Sequence, residues 1–401
     1  MTAPRAMIDF VPEDRLGRRV LFTPGPVSCS AGVLAAAQSD IGSWDADTTE
    51  VMRDVQRRLL SVCAGRDELC VTLLPGSGTY GVEAMLGTCV AKDGSVLVVR
   101  NGMYGQRLVD LCQMLGIGWH AVDGPEDRAI DPAMIDEALH AHPEVSHVAL
   151  CHCETTSGVL HPLSEIGRVA GLHAKRLLVD AMATFCGYEV GPGKEIDFGV
   201  TPIDMLVASA NKCVQGMPGL VYAIAPRATL ERSTGNARSL SLDLAAQHAH
   251  AERTGRFRFT PPTHVLLAMQ RALVEMEEEG GVGARSERYR GNAARTVERL
   301  GEMGIEPFVE AGSRSHICTT FRWPREDFDF AGFIGAVRRR GYILFPQQVT
   351  REATFRIGSI GNIGPCEVDG LCDAIGEAME EVGVAISGAG RRVSGRKAAA
   401  C

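Results

Sequence analysis

Apolar residues at Val51, Val55, Leu59 and Val62 recur at helical spacing and predict a helix over residues 50–62. Beyond it, short apolar runs alternate with amphipathic stretches. The runs at 69–74, 95–100, 147–151, 176–180, 205–208 and 220–225 have strand length, and most end in polar residues or glycine. Stretches such as 164–173 lie between them and carry a helical pattern. Strands alternating with helices predict an α/β domain with a mainly parallel sheet, whose ligands bind at the carboxyl ends of the strands. A long helix over 264–279 is stopped by Gly280-Gly281. The order then changes: a helix rich in Arg and Glu over 284–303, β-like runs at 317–323 and 342–345, and a closing helix striped by Leu371, Ile375, Met379 and Val382. This predicts a smaller α+β domain. The expected division is an N-terminal arm at 1–20, a large domain at 21–280, a small domain at 281–386 and a disordered tail at 387–401, rich in Gly, Ser, Arg, Lys and Ala.

A length of 401 residues exceeds what one hydrophobic core ordinarily holds, in keeping with two domains. The net charge of −8 gives no general attraction to nucleic acid or to an anionic membrane, so any anion must be captured locally. Met1 to Arg19 has charges and no apolar core, and no run of 18 apolar residues occurs, so a soluble, cytoplasmic protein is expected. The thirteen cysteines are scattered without a CxxC pair, which suits thiols in a reducing compartment. The one Cys/His cluster, Cys151-His152-Cys153, fits no common zinc spacing and reads as buried strand, so no metal is expected.

Asp180 ends the run Arg176-Leu177-Leu178-Val179, and a carboxylate there is costly unless a cation pairs with it. Ser209-Ala210-Asn211-Lys212 follows another apolar strand, so the two groups can meet at one sheet edge. A lysine desolvated in such a place becomes a nucleophile toward carbonyls. An aspartate facing a pyridine nitrogen keeps that ring protonated and able to accept carbanion electrons, so the pair suits pyridoxal phosphate. Pro75-Gly76-Ser77-Gly78-Thr79 links a strand to a helix. Its glycines, the first N–H groups of the helix and the Ser77 and Thr79 hydroxyls would cradle a phosphate. A turn that needs glycine for its conformation alone gives the same pattern.

These pieces, with Phe355-Arg356-Ile357-Gly358, occur in the order seen in class V (alanine–glyoxylate-like) aminotransferases of fold type I, which the chain resembles from about Leu21 to Val382. The most specific stretches are Thr23-Pro24-Gly25-Pro26, Gly76-Ser77-Gly78, Ser209-Ala210-Asn211-Lys212-Cys213, residues 238–244 and residues 258–264. The resemblance implies pyridoxal 5'-phosphate carried on Lys212, which would also shuttle the substrate proton, with Asp180 at the pyridine nitrogen and Asn211 beside the lysine. It implies that Ser77, Gly78 and Thr79 hold the phosphate, and that Thr260 reaches it from the partner in a homodimer. Tyr104 would stack on one face of the ring, Met182 would lie on the other, and Thr155 would sit near the phenolic oxygen. Arg356 would grip the anionic end of the substrate, with Gly25 beside it. From the residues alone, Tyr104 and Met182 also read as ordinary core, and Thr155 as a turn cap.

The closest part of the family acts on an aminophosphonate. The implied reaction is 2-aminoethylphosphonate with pyruvate giving phosphonoacetaldehyde and L-alanine, since one guanidinium can grip a phosphonate or a carboxylate by paired hydrogen bonds. The rival within the family is an alanine– or serine–glyoxylate transaminase. A class V lyase or desulfurase fits less well, because Asn211 precedes the lysine where histidine is typical and Cys318 lies inside a β-like run. A non-catalytic binding domain has no use for both Lys212 and Asp180. Two departures stand out: the segment 41–49, and Cys186 where glycine is more usual.

Overall fold

The computed structural model describes residues 19–63 and 66–386, so the tail and nearly all of the expected arm lie outside the described residues. The centre is a seven-stranded sheet in the order Leu69–Gly76, Gly219–Pro226, Ile203–Ser209, Arg176–Asp180, His147–Cys151, Ser95–Arg100, Gly118–Asp123. Gly219–Pro226 runs antiparallel to both neighbours, and every other pair is parallel. The sheet is mainly parallel, as its sequence pattern predicts.

Helices cover both faces, which explains the near-continuous apolar runs. Leu69, Val71 and Leu73 enter one core with Leu97, Val99, Leu177, Val179 and Leu206. The alternate residues Cys70, Leu74, Val96, Val98, Leu178, Met205 and Val207 enter a second core on the opposite face. This is the two-residue period of a strand buried on both sides. Six strands coincide with the expected runs. The seventh, Gly118–Asp123, is an edge strand, half-exposed for most of its length, and lacks the apolar run that marks the others.

The C-terminal elements form a third core around Phe321, Phe333, Phe355, Leu371 and Ile375. Strands Cys318–Arg322 and Thr354–Gly358 pair antiparallel, placing Thr320 opposite Arg356. The short strand Val20–Leu21 pairs with Tyr342–Ile343, and Phe22 packs into this third core although the linear division puts residues from 21 onward with the large domain. The helix Gly281–Glu302 spans both regions, contributing Tyr289 to the first core and Leu300 to the third. Among the described residues no helix is long and apolar enough to cross a membrane, and eleven cysteines are free thiols.

Candidate active site

The carboxyl edge of the sheet brings the chemistry together. Asp180 ends its strand 6 % exposed, and one carboxylate oxygen accepts the Met182 N–H at 3.0 Å. Burial pushes its carboxyl up to about 6, against the opposing pull of the Met182 N–H and the Lys212 charge. The adjacent strand Ile203–Ser209 runs into a turn that carries Asn211 and Lys212. Burial lowers the Lys212 ammonium pKa, partly offset by Asp180. Lys212 Nζ donates to the Pro24 carbonyl at 2.7 Å. Gly25 lies against this side chain: at φ +135° an added Cβ would come within 2.6 Å of Nζ. Only glycine fits there, and the segment Thr23–Pro26 thereby forms one wall around the lysine.

The end of Leu69–Gly76 turns into the helix Gly78–Cys89, with Ser77 at the N-cap. Ser77 makes no side-chain capping bond, and the Gly78 and Thr79 N–H groups have no acceptor among the described residues. Two amides and two hydroxyls are thus left as an anion cradle.

Tyr104 enters from the helix Met103–Leu115. Burial raises its phenol pKa, while Thr155 and the nearby Arg356 and Arg107 charges pull it down. The helix is anchored by Glu154, which no local sequence pattern marks. Its fully buried carboxylate accepts the Tyr104 and Gly105 N–H groups at 3.1 and 3.0 Å, and the Thr156 N–H at 3.1 Å and hydroxyl. Gly102 permits this approach, since a Cβ there would meet Glu154 Cδ at 2.5 Å. Glu154→Ala strands four buried donors and is expected to cost on the order of 3 kcal/mol. Denaturant unfolding measures it; an unshifted midpoint would mean that these donors find other acceptors.

Arg356 is 4 % exposed within Thr354–Gly358. It donates to the Thr155 carbonyl, lies 4.1 Å from the Phe345 ring centroid, and leaves Nε buried without a partner. No carboxylate among the described residues pairs with it.

A cavity of about 440 Å³ is lined by Ser77, Gly78, Thr79, Tyr104, Asp180, Met182, Asn211 and Lys212, eight of the residues singled out in the sequence. Gly25 stands behind Lys212, and Thr155 and Arg356 adjoin Tyr104. Thr260 is not brought to this cavity: it is exposed, in a separate hollow with Tyr80, Leu242, Phe257 and Phe259. Arg107 lines the cavity and was not singled out, and Ser209, quoted only as part of the Ser209–Cys213 stretch without a role of its own, lines it as well. For Arg107 the available signal is its spacing three residues after Tyr104, which puts both on one helix face. The segment 41–49 contributes nothing to the lining, and its Trp44 is 74 % exposed under Arg256. Cys318 is fully buried in its strand, its thiol pushed up to about 11 by burial, unsuited to a mobile nucleophile. His152 is buried against Thr184 and Glu195, consistent with a structural role.

The family profile described as aminotransferase class-V matches residues 30–325. The chain is 41% identical over 381 residues to 2-aminoethylphosphonate–pyruvate transaminase 2 of Burkholderia lata, covering 95% of this chain and 98% of that protein. It is 42% identical over 366 residues to 2-aminoethylphosphonate–pyruvate transaminase of Pseudomonas aeruginosa, covering 91% and 97%. The fold is similar to that of pyridoxamine–pyruvate aminotransferase from Mesorhizobium loti, with a TM-score of 0.83, 24% identity and coverage of 92% and 93% of the two chains.

Proposed function

The chain belongs to the class-V aminotransferase family, and from that premise we propose that it binds pyridoxal 5'-phosphate in this cavity and transfers the amino group of 2-aminoethylphosphonate to pyruvate. The products are phosphonoacetaldehyde and L-alanine. The cavity suits that cofactor in its own chemistry. Ser209 Oγ is buried without a partner, and Asp180 is a buried carboxylate needing a cation, which a pyridinium supplies. The Ser77–Thr79 cradle offers donors to a phosphate, and Tyr104 and Met182 offer apolar surface to a ring.

When bound, the cofactor supplies an electron sink for the substrate carbanion. Asp180 would hold positive charge at the pyridine nitrogen. Lys212, whose ammonium form is disfavoured by burial, would take a proton from the substrate carbon and return it. The Pro24 carbonyl and Gly25 hold that amine in place.

The observation that carries the substrate class is Arg356: a buried guanidinium with no carboxylate partner, beside Tyr104 and Thr155. Such a group calls for an anion, and it can accept the donor's phosphonate and the acceptor's carboxylate in turn. The same reading makes the protein a homodimer, with the exposed Thr260 completing the partner's cradle. The exposed Tyr80 and Phe259 around that hollow support a covered face. It also places the protein in the cytoplasm, a reading supported by the eleven described cysteines that are free thiols.

The test is a single half-reaction. Adding 2-aminoethylphosphonate alone to the cofactor-loaded protein should abolish the visible absorbance of the lysine-bound cofactor, and pyruvate should restore it. Response to alanine or serine, but not to 2-aminoethylphosphonate, would move the enzyme to the glyoxylate branch of the family.

A further inference from the structure

We propose that Arg107 makes the cavity selective for a phosphorylated cofactor, by orienting the Thr79 hydroxyl as a donor and by supplying the positive charge of the cradle. The inference rests on the reading of this cavity as a pyridoxal 5'-phosphate site. Arg107 lines the cavity from the helix Met103–Leu115, on the face that carries Tyr104. Its Nη1 donates to Thr79 Oγ1 at 3.3 Å, and its guanidinium carbon lies 4.7 Å from the Tyr104 ring centroid. Arg100, just before this helix, is neutralised by Asp123 at 2.6 Å. Arg107 pairs with no carboxylate among the described residues. A half-buried guanidinium that faces the cavity in no ion pair, with only the longer-range pull of Asp180, is a site for an anion.

The hydrogen bond to Thr79 sets the polarity of the cradle. A hydroxyl that accepts from a guanidinium has a lone pair engaged, and turns its own O–H toward another acceptor. Thr79 then joins the unpartnered Gly78 and Thr79 N–H groups, so that Arg107, the hydroxyl and both amides all act as donors. Such a cradle is matched to a dianionic phosphate and poorly matched to a neutral hydroxymethyl group. Contact with Tyr104 holds the arginine in this position through cation–π attraction. Arg107 is therefore a positioning residue, acting through Thr79 and through its charge.

The experiment compares pyridoxal 5'-phosphate with pyridoxal, which lacks the phosphate, in absorbance titrations of the cofactor-free full chain, Arg107→Gln and Arg107→Lys. Arg107→Gln should weaken pyridoxal 5'-phosphate roughly 10- to 100-fold and leave pyridoxal within about twofold. Arg107→Lys keeps the charge but not the fork, so it should show a smaller loss, again confined to the phosphorylated form. If the glutamine variant does not fold, the lysine variant alone gives the same comparison. Equal weakening of both compounds, or of neither, overturns the inference while leaving the cofactor reading intact. Uptake of neither compound by the unsubstituted chain overturns that reading and this inference with it.

Discussion

Lys212→Ala is expected to lower turnover by roughly 10³-fold or more, because the proposed function gives this residue both the covalent attachment and the movement of the substrate proton. The fold should survive. Lys212 is half-buried, its one hydrogen bond is to the Pro24 carbonyl, and burial already opposes its charge, so its loss removes a desolvation cost along with a contact. The variant should still take up pyridoxal 5'-phosphate through the cradle, now without the absorbance of a lysine-linked cofactor. The substitution also reaches Asp180. The Lys212 charge is one of the influences holding that carboxyl down, so without it the Asp180 pKa should rise above about 6. The effects of Lys212→Ala and Asp180→Asn on stability should therefore not add. Turnover within tenfold of the unsubstituted chain would remove Lys212 from the chemistry.

The sheet and the floor of the site are legible because their causes are local. A strand buried on both faces must be apolar throughout, so six strands announce themselves, and a carboxylate or lysine at the end of such a run is conspicuous. The edge strand Gly118–Asp123 escapes because its partial exposure removes the need for an apolar run. Helices such as Leu244–Thr254 escape for a similar reason, with alanines and histidines in place of a strong apolar stripe. Glu154 and Arg107 act across the fold: one holds N–H groups fifty residues earlier, and the other reaches the hydroxyl of Thr79. No local pattern encodes such partners. Cys186 lies between these cases. Its φ of 66° explains why glycine suits the position, and a buried thiol occupies it here at a conformational cost of about 1–2 kcal/mol. Thr260 stands exposed in a separate hollow, and its proposed role rests on a partner surface that periodicity does not encode.

Asp180→Asn is expected to separate function from stability, moving the two in opposite directions. Turnover should fall roughly 10²- to 10⁴-fold, because a neutral amide could not hold positive charge at the pyridine nitrogen as the proposed function requires. The amide oxygen can still accept the Met182 N–H, so the local geometry should persist. Stability of the cofactor-free protein follows from linkage. The Asp180 carboxyl is raised from its ordinary value of 3.8 to about 6, so the folded state holds that proton more tightly than the unfolded chain. Its contribution is therefore fully present below about pH 3.8, is lost as pH rises toward 6, and above that leaves the ionised carboxylate costing about 3 kcal/mol. Asparagine carries no such penalty. At pH 8 the cofactor-free variant should unfold at higher denaturant than the unsubstituted chain, and the difference should shrink as pH falls through 6 toward 4. Saturating cofactor should reverse the order, since a pyridinium pairs with the carboxylate and not with the amide. A near-normal rate, or a cofactor-free variant less stable at pH 8, would show that Asp180 is held for the fold and not for the cofactor.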